Sequence, residues 1–291
     1  MLVLLGWLCL VTTACAQDPE HGALLAAVSG CASCHTAEGG APYAGGFPIE
    51  TRFGTFYGSN LTPDPEHGLG DWSEEDFVRA LRKGRSPAGR PYYPAFPYTS
   101  YTLLTDADLA DLWTYVQTVA PAPRPAPAHQ LKGMYRWRFL LRFWKVTGFR
   151  RGPFRPDPDR SDAWNRGGYL VDAAAHCGEC HTGRGGLGGL RKRRYLAGND
   201  DPPEPAPNVT PHEHGAGHWS TTDWTAFLED GMAPDGDFVG GEMRRVVTEG
   251  TTLLSDEDRH AMAEYLRAVK PRPSRPPPEP TAPTPDDEPW W

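Results

Sequence analysis

Apolar positions recur at helical spacing in two distant parts of the chain. Leu109, Leu112, Trp113 and Val116 form one row, and Met262, Tyr265, Leu266 and Val269 the other. A hydroxyl residue with an acid three positions later precedes each row, Thr105 with Asp108 and Ser255 with Asp258, which is the pattern of a helix N-cap. Ser73 with Asp76 and Ser220 with Asp223 predict a further helix in each half. Two more helices are expected over 21–34 and 166–180, with Gly- and Pro-rich loops between all of them. The expected fold class is all-α.

A third pattern fills residues 131–149, LKGMYRWRFLLRFWKVTGF. As one helix this segment is apolar over most of its circumference, with Arg138, Arg142 and Lys145 along a narrow stripe. Such a helix needs burial on more than one side, as in a strap between domains. A membrane-surface helix and a docking face for a larger complex are the alternatives. Prolines, 31 in all, cluster at 121–127, 153–158, 202–211 and 271–289 and mark seams and tails.

Met1 to Val11 is an apolar run of signal-peptide length, too short to span a bilayer. Ala14-Cys15-Ala16 suits cleavage before Gln17; lipidation at Cys15 or an uncleaved anchor are the other readings. The expected layout is a signal peptide at 1–16, a first domain at 17–121, a linker at 122–160, a second domain at 161–271 and a Pro-rich tail at 272–291. Net charge is −8, unevenly spread, with nine Lys or Arg and no acid over 124–155. Nothing in the chain resembles the long basic patch of a nucleic-acid binder, and that class is excluded.

Beyond the export segment the chain has four cysteines, Cys31, Cys34, Cys177 and Cys180, arranged as CASCH and CGECH. The adjoining histidines are His35 and His181. C-x-x-C-H is the attachment signature of c-type haem. Two thiols about a helical turn apart reach the two vinyl groups on one porphyrin edge, and the next imidazole lies under the ring to ligate iron. A zinc ribbon would place its two pairs about 15–20 residues apart, and a disulfide across C-x-x-C is strained. Two covalently bound haems are therefore expected.

The surrounding sequence repeats as well. Asn60-Leu61-Thr62-Pro63 and Trp72-Ser73 return as Asn208-Val209-Thr210-Pro211 and Trp219-Ser220. Gly84, Pro87 and Gly89 match Gly231, Pro234 and Gly236, and Leu103-Leu104 matches Leu253-Leu254. The chain thus reads as two tandem haem domains.

These residues, with Phe53-Gly54-Thr55, Tyr93 to Tyr98 and Gly241 to Val247, resemble the multihaem cytochrome c subunits of bacterial alcohol, aldehyde and gluconate dehydrogenases and their dihaem relatives. The resemblance implies tandem cytochrome c-like domains and a distal iron ligand that is a Met between the middle and last helices. In the second copy that Met is Met243, with Met232 as the competitor. In the first copy the matching position, 24 residues after Trp72 as Met243 is 24 after Trp219, holds Phe96, which cannot ligate iron. The sixth ligand of the first haem is then His129, Met134 or no protein group. His67, Tyr92 and Tyr93 read better as loop and packing residues.

The function implied is transfer of single electrons between a dehydrogenase or quinol-linked donor and a terminal acceptor, in the periplasm or on the outer face of the cytoplasmic membrane. The expected partner is a redox protein, with membrane-surface association through the linker open, and Arg150, Arg151 and Arg155 available to pair with an acidic partner or haem propionates. Two other readings stand beside it: a haem enzyme of peroxidase or thiosulfate dehydrogenase type working at an open first iron, and a structural haem subunit of a respiratory complex.

Overall fold

The computed structural model describes residues 17–150, 152–200 and 205–274. The expected signal peptide with Cys15, Arg151 and most of the expected tail lie outside them. Two crossings of a first and a last helix organise the rest. Helix α1 (Pro19–Val28) begins at Asp18, whose carboxylate accepts the N–H groups of Glu20 and His21, with Pro19 in the first turn. It packs on α5 (Asp106–Val116), capped by Thr105 as expected. A Cβ at Gly22 would stand 2.1 Å from the Asp111 carbonyl oxygen, so only glycine permits this approach.

The second half repeats the device. Helix α7 (Asp162–Tyr169), capped by Ser161, packs on α10 (Asp256–Ala268), capped by Ser255. Here a Cβ at Gly167 would lie 1.9 Å from the Ala261 carbonyl oxygen. Leu25, Leu109 and Leu112 bury the first crossing, and Leu170, Met262 and Leu266 the second, within one continuous core.

The expected middle helices are α3 (Glu74–Lys83) and α8 (Thr221–Asp230). Both start with a reciprocal capping box, Ser73 with Asp76 and Ser220 with Asp223, and both stop at a left-handed glycine, Gly84 or Gly231. A short helix follows each in the next loop, α4 (Tyr98–Tyr101) and α9 (Gly241–Glu249).

Four expectations are corrected. The predicted helix over 21–34 stops at Val28 and restarts as α2 (Cys31–His35) after Gly30, which takes a φ of +59°. The predicted helix over 166–180 passes from α7 into a π turn at Leu170–Ala174, a left-handed His176 and a 3-10 turn at Cys177–Glu179. Gly22 precedes Cys31 by nine residues but Gly167 precedes Cys177 by ten, and the π turn absorbs the extra residue without disturbing the helix crossing.

The fold is also not purely helical. Strands β1 (Pro48–Thr51) and β2 (Gly54–Tyr57) form an antiparallel hairpin, and β3 (Gln130–Leu131) adds to β2 opposite Thr55 and Gly54. Burial alternates along β2, with Gly54 and Phe56 inward, a period-two signal in a segment assigned to loop.

Finally, the expected helix over 131–149 is three pieces: β3, a 3-10 turn at Gly133–Arg136, and α6 (Leu140–Gly148). Its buried face is not the apolar one. Trp144 and Lys145 are buried, while Phe139, Phe143 and Val146 are 58, 70 and 84% exposed. Lys145 Nζ donates to the carbonyls of Lys83 and Gly84, each at 2.6 Å, and lies 4.6 Å from the centre of the Tyr98 ring. The C-terminal end of α3 offers carbonyls without partners inside the helix and the negative pole of its dipole, which selects the cation for the inside.

Because both crossings rest on a glycine against a carbonyl, Gly22→Ala and Gly167→Ala should each destabilise the protein by about 1–3 kcal/mol through overpacking. Thermal unfolding followed by far-ultraviolet circular dichroism reads this. An unchanged midpoint in either variant would show that its helices do not meet at the glycine.

Candidate haem-binding sites

The left-handed residue before each C-x-x-C-H motif, Gly30 (φ +59°) or His176 (φ +41°), turns the chain out of the preceding helix. It thereby sets both cysteines and the histidine on one compact turn. None of the four thiols is in a disulfide; three are half-buried and Cys180 is exposed. Burial pushes Cys31 and Cys177 up to about 12 and Cys34 up to about 11.

Each histidine is held by one nitrogen. His35 Nδ1–H donates to the Ser59 carbonyl at 2.6 Å, and His181 Nδ1–H to the Pro207 carbonyl at 2.8 Å. Burial lowers both imidazole pKa values and the carbonyl bond partly opposes it. The result is a neutral ring with Nε2 left as the ligating atom. Two thiols beside such an imidazole form a donor set that fits covalent haem with an axial nitrogen ligand.

The residue after each accepting carbonyl anchors its loop. Asn60 Nδ2 donates to the carbonyls of Ala122 at 2.8 Å and Arg124 at 3.1 Å, and its Oδ1 accepts from the Thr62 N–H and hydroxyl. Asn208 does the same toward Arg272, at 2.9 Å, and Thr210. The repeated Asn-x-Thr-Pro motif is therefore a clamp between the proximal loop and the chain leaving the last helix. Tyr43 and Leu196, at φ +60° and +61°, occupy matching left-handed positions two residues before the glycines that donate to the His35 and His181 carbonyls. Strain of about 1–2 kcal/mol at each is held in place next to the histidine.

Beside Cys177 lies a half-buried acid that the sequence did not single out. The Asp172 carboxylate accepts from the Tyr195 hydroxyl at 2.5 Å and the Tyr265 hydroxyl at 2.9 Å, while burial raises its pKa. In the first half two hydroxyls stand there instead, Tyr115 donating to Tyr43 at 3.3 Å. With no acid in that copy, the repeat could not reveal Asp172.

On the distal side the loops are set alike. Tyr92 N–H donates to the Gly84 carbonyl and Val239 N–H to the Gly231 carbonyl, both at 2.9 Å, and four residues later come Phe96 and Met243. Met243 is half-buried against the core, whereas Met232 is exposed. Phe96 sits among the rings of Tyr92, Tyr98 and Tyr101 at 5.6–6.0 Å. His129 is exposed beside the end of β2. Its Nδ1 accepts from the Tyr57 N–H at 3.2 Å, and its ring meets Phe56 and Tyr93. Met134 is exposed on the strap, and His67 is a loop residue 3.8 Å from Glu66.

The family described as "Cytochrome c" matches the chain at residues 19–120 and again at 166–270. The chain is 41% identical over 260 residues to a dihaem c-type cytochrome of Cereibacter sphaeroides, covering 87% of this chain and 86% of that one. It is 39% identical to the fructose dehydrogenase cytochrome subunit of Gluconobacter japonicus, covering 89% of this chain and 54% of the subunit. It is 40% identical to a nicotinate dehydrogenase subunit of Pseudomonas putida, spanning 87% of this chain but only 21% of that protein. Among the described residues no helix is long and apolar enough to cross a membrane.

The Asn60 clamp is buried with both ends of its amide satisfied, so Asn60→Ala takes a partner from two carbonyls, the Thr62 N–H and the Thr62 hydroxyl. The expected loss is about 1–3 kcal/mol. Chemical denaturation followed by tryptophan fluorescence checks this, and a loss within error would show that the clamp does not hold the loop.

Proposed function

The chain belongs to the cytochrome c family, and on that premise we propose that it carries two covalently bound haems in tandem domains and passes single electrons from a dehydrogenase or quinol-linked donor to a terminal acceptor outside the cytoplasm. The observation that carries this reading is the duplicated donor set: two thiols, and an imidazole whose Nδ1–H is tied to a loop carbonyl. The domains are 17–121 and 161–271, with 122–160 as the linker. Cys31, Cys34 and His35 would hold the first haem, and Cys177, Cys180 and His181 the second. When bound, each haem supplies a one-electron iron couple.

The residues around each site do the tuning. Met243 is the proposed sixth ligand of the second iron, and a His/Met site holds the higher potential. Phe96 closes the equivalent place in the first site with a hydrocarbon ring, so the two potentials are graded. The relatives named as cytochrome subunits of dehydrogenases favour this role over that of a haem peroxidase-type enzyme.

Contact with the partner, or with the membrane surface where it works, is proposed through the strap. Phe139, Phe143 and Val146 are exposed on it, and Val146 lines a cleft of about 570 Å³ with Arg85, Arg142, Lys145 and Phe149. Apolar surface ringed by cations suits an acidic counterpart. The apolar run at 1–11 supports export.

Two measurements test the proposal. The mature protein should give two haems by pyridine haemochrome assay and keep both through acid–acetone extraction; their release would end the covalent reading. Met243→Ala should abolish the weak sulfur-to-iron charge-transfer band of the oxidised protein and lower one potential, while Phe96→Met should add a second such band. Persistence of the band in Met243→Ala would move the ligand role to Met232.

A further inference from the structure

The two attachment motifs meet across the boundary between the halves. The residue before the second cysteine is Ser33 in one motif and Glu179 in the other. Ser33 Oγ donates to Glu249 Oε2 of the second half at 3.3 Å. Glu179 Oε1 accepts from the hydroxyl of Thr99 and, at 3.3 Å, from that of Ser100, both in the first half. Thr99 and Glu249 each stand four residues before the repeated Leu-Leu pair. The same contact therefore occurs twice with hydroxyl and carboxylate exchanged, which is how an isologous interface with pseudo-two-fold symmetry is recognised. Tyr101 and His176 close its centre: the Tyr101 hydroxyl and His176 Nε2 both reach the Ser29 carbonyl at 3.1 Å, with ring centres 5.4 Å apart.

The two mates are unequal. Ser33–Glu249 is exposed, the kind of contact that contributes little. Glu179 is only 9% exposed and is also paired with Arg184, whose guanidinium donates to the Gly188 carbonyl at 2.9 Å. Its carboxylate thus joins an arginine of its own half to two hydroxyls of the other. A buried ion pair adds little net stability, but it penalises any arrangement that breaks it, and that makes it a device for register.

We propose that Glu179 is a positioning residue that locks the two haem-attachment loops face to face, and so sets the separation and orientation across which the two sites exchange an electron. In that exchange one iron loses one electron and the other gains it, with no proton or co-reactant required. The inference rests on the dihaem reading above.

The test uses the holoprotein with both haems verified by haemochrome assay. Two haems held close in fixed orientation should give a bisignate Soret circular dichroism couplet. Glu179→Ala should lose it with both haems attached and the far-ultraviolet spectrum unchanged, while Glu179→Gln, which keeps an acceptor for Thr99 and Ser100, should restore most of it. If Glu179→Ala fails to load the second haem, the double variant Thr99→Val/Ser100→Ala leaves the CGECH motif intact and should lose the couplet in its place. A parent holding both haems but showing no couplet, or variants that retain it in full, would overturn the proposal. Equal loss in Glu249→Gln would assign the register to the interface as a whole and remove Glu179 from the role. A parent with fewer than two haems would instead defeat the dihaem reading.

Discussion

The carbonyl of Ser59 holds His35 by Nδ1 at 2.6 Å, and the carbonyl of Pro207 holds His181 at 2.8 Å. Each bond leaves one nitrogen of a neutral imidazole facing the place where an iron would sit. Much of the surrounding structure serves to keep those two carbonyls still. The Asn60 and Asn208 clamps tie their loops to the chain beyond the last helix, and the last helix is tied to the first by a glycine contact that tolerates no side chain. A displacement at either crossing would therefore be transmitted through a few hydrogen bonds to the histidine.

Duplication has preserved this frame and altered what is attached to it. Gly30 makes a left-handed turn at little cost, whereas His176 makes it at a steric penalty and gains contacts to Tyr101 and Ser29 in return. An extra residue in the second half is taken up as a π turn, leaving the crossing and the motif in place. Phe96 and Met243 occupy matching positions after matching hydrogen bonds, so the difference between the two distal sides is one of chemistry on a common loop. The hydroxyl and carboxylate pairs at the boundary are exchanged in the same spirit.

The strap shows that composition and burial are separate questions. Lys145 goes inside because the end of α3 offers it two carbonyls and Tyr98 offers a ring face. Phe139 and Phe143 stay outside because the surface they would cover is already occupied by Trp144 and Lys145. An aromatic helix laid over a polar helix end thus exposes the side that its periodicity assigns to the core.

Local patterns alone were enough to locate the two C-x-x-C-H motifs, the repeat, the four internal caps at Ser73, Thr105, Ser220 and Ser255, and the substitution of Phe96 for a methionine. Each depends on residues close in sequence or on comparison of one half with the other, and short-range chemistry is legible there. The breaks before the cysteines, the β1–β2–β3 sheet and the inverted strap were not legible. A left-handed His176 is offset by contacts 75 or more residues away, the β1–β2 hairpin gains its third strand only from Gln130 and Leu131, and Lys145 is buried by carbonyls of another helix. Asp172 and Glu179 belong to the same class. Nothing beside them in the chain marks a carboxylate for burial, and only the folded arrangement brings up the hydroxyls and the guanidinium that compensate for lost water.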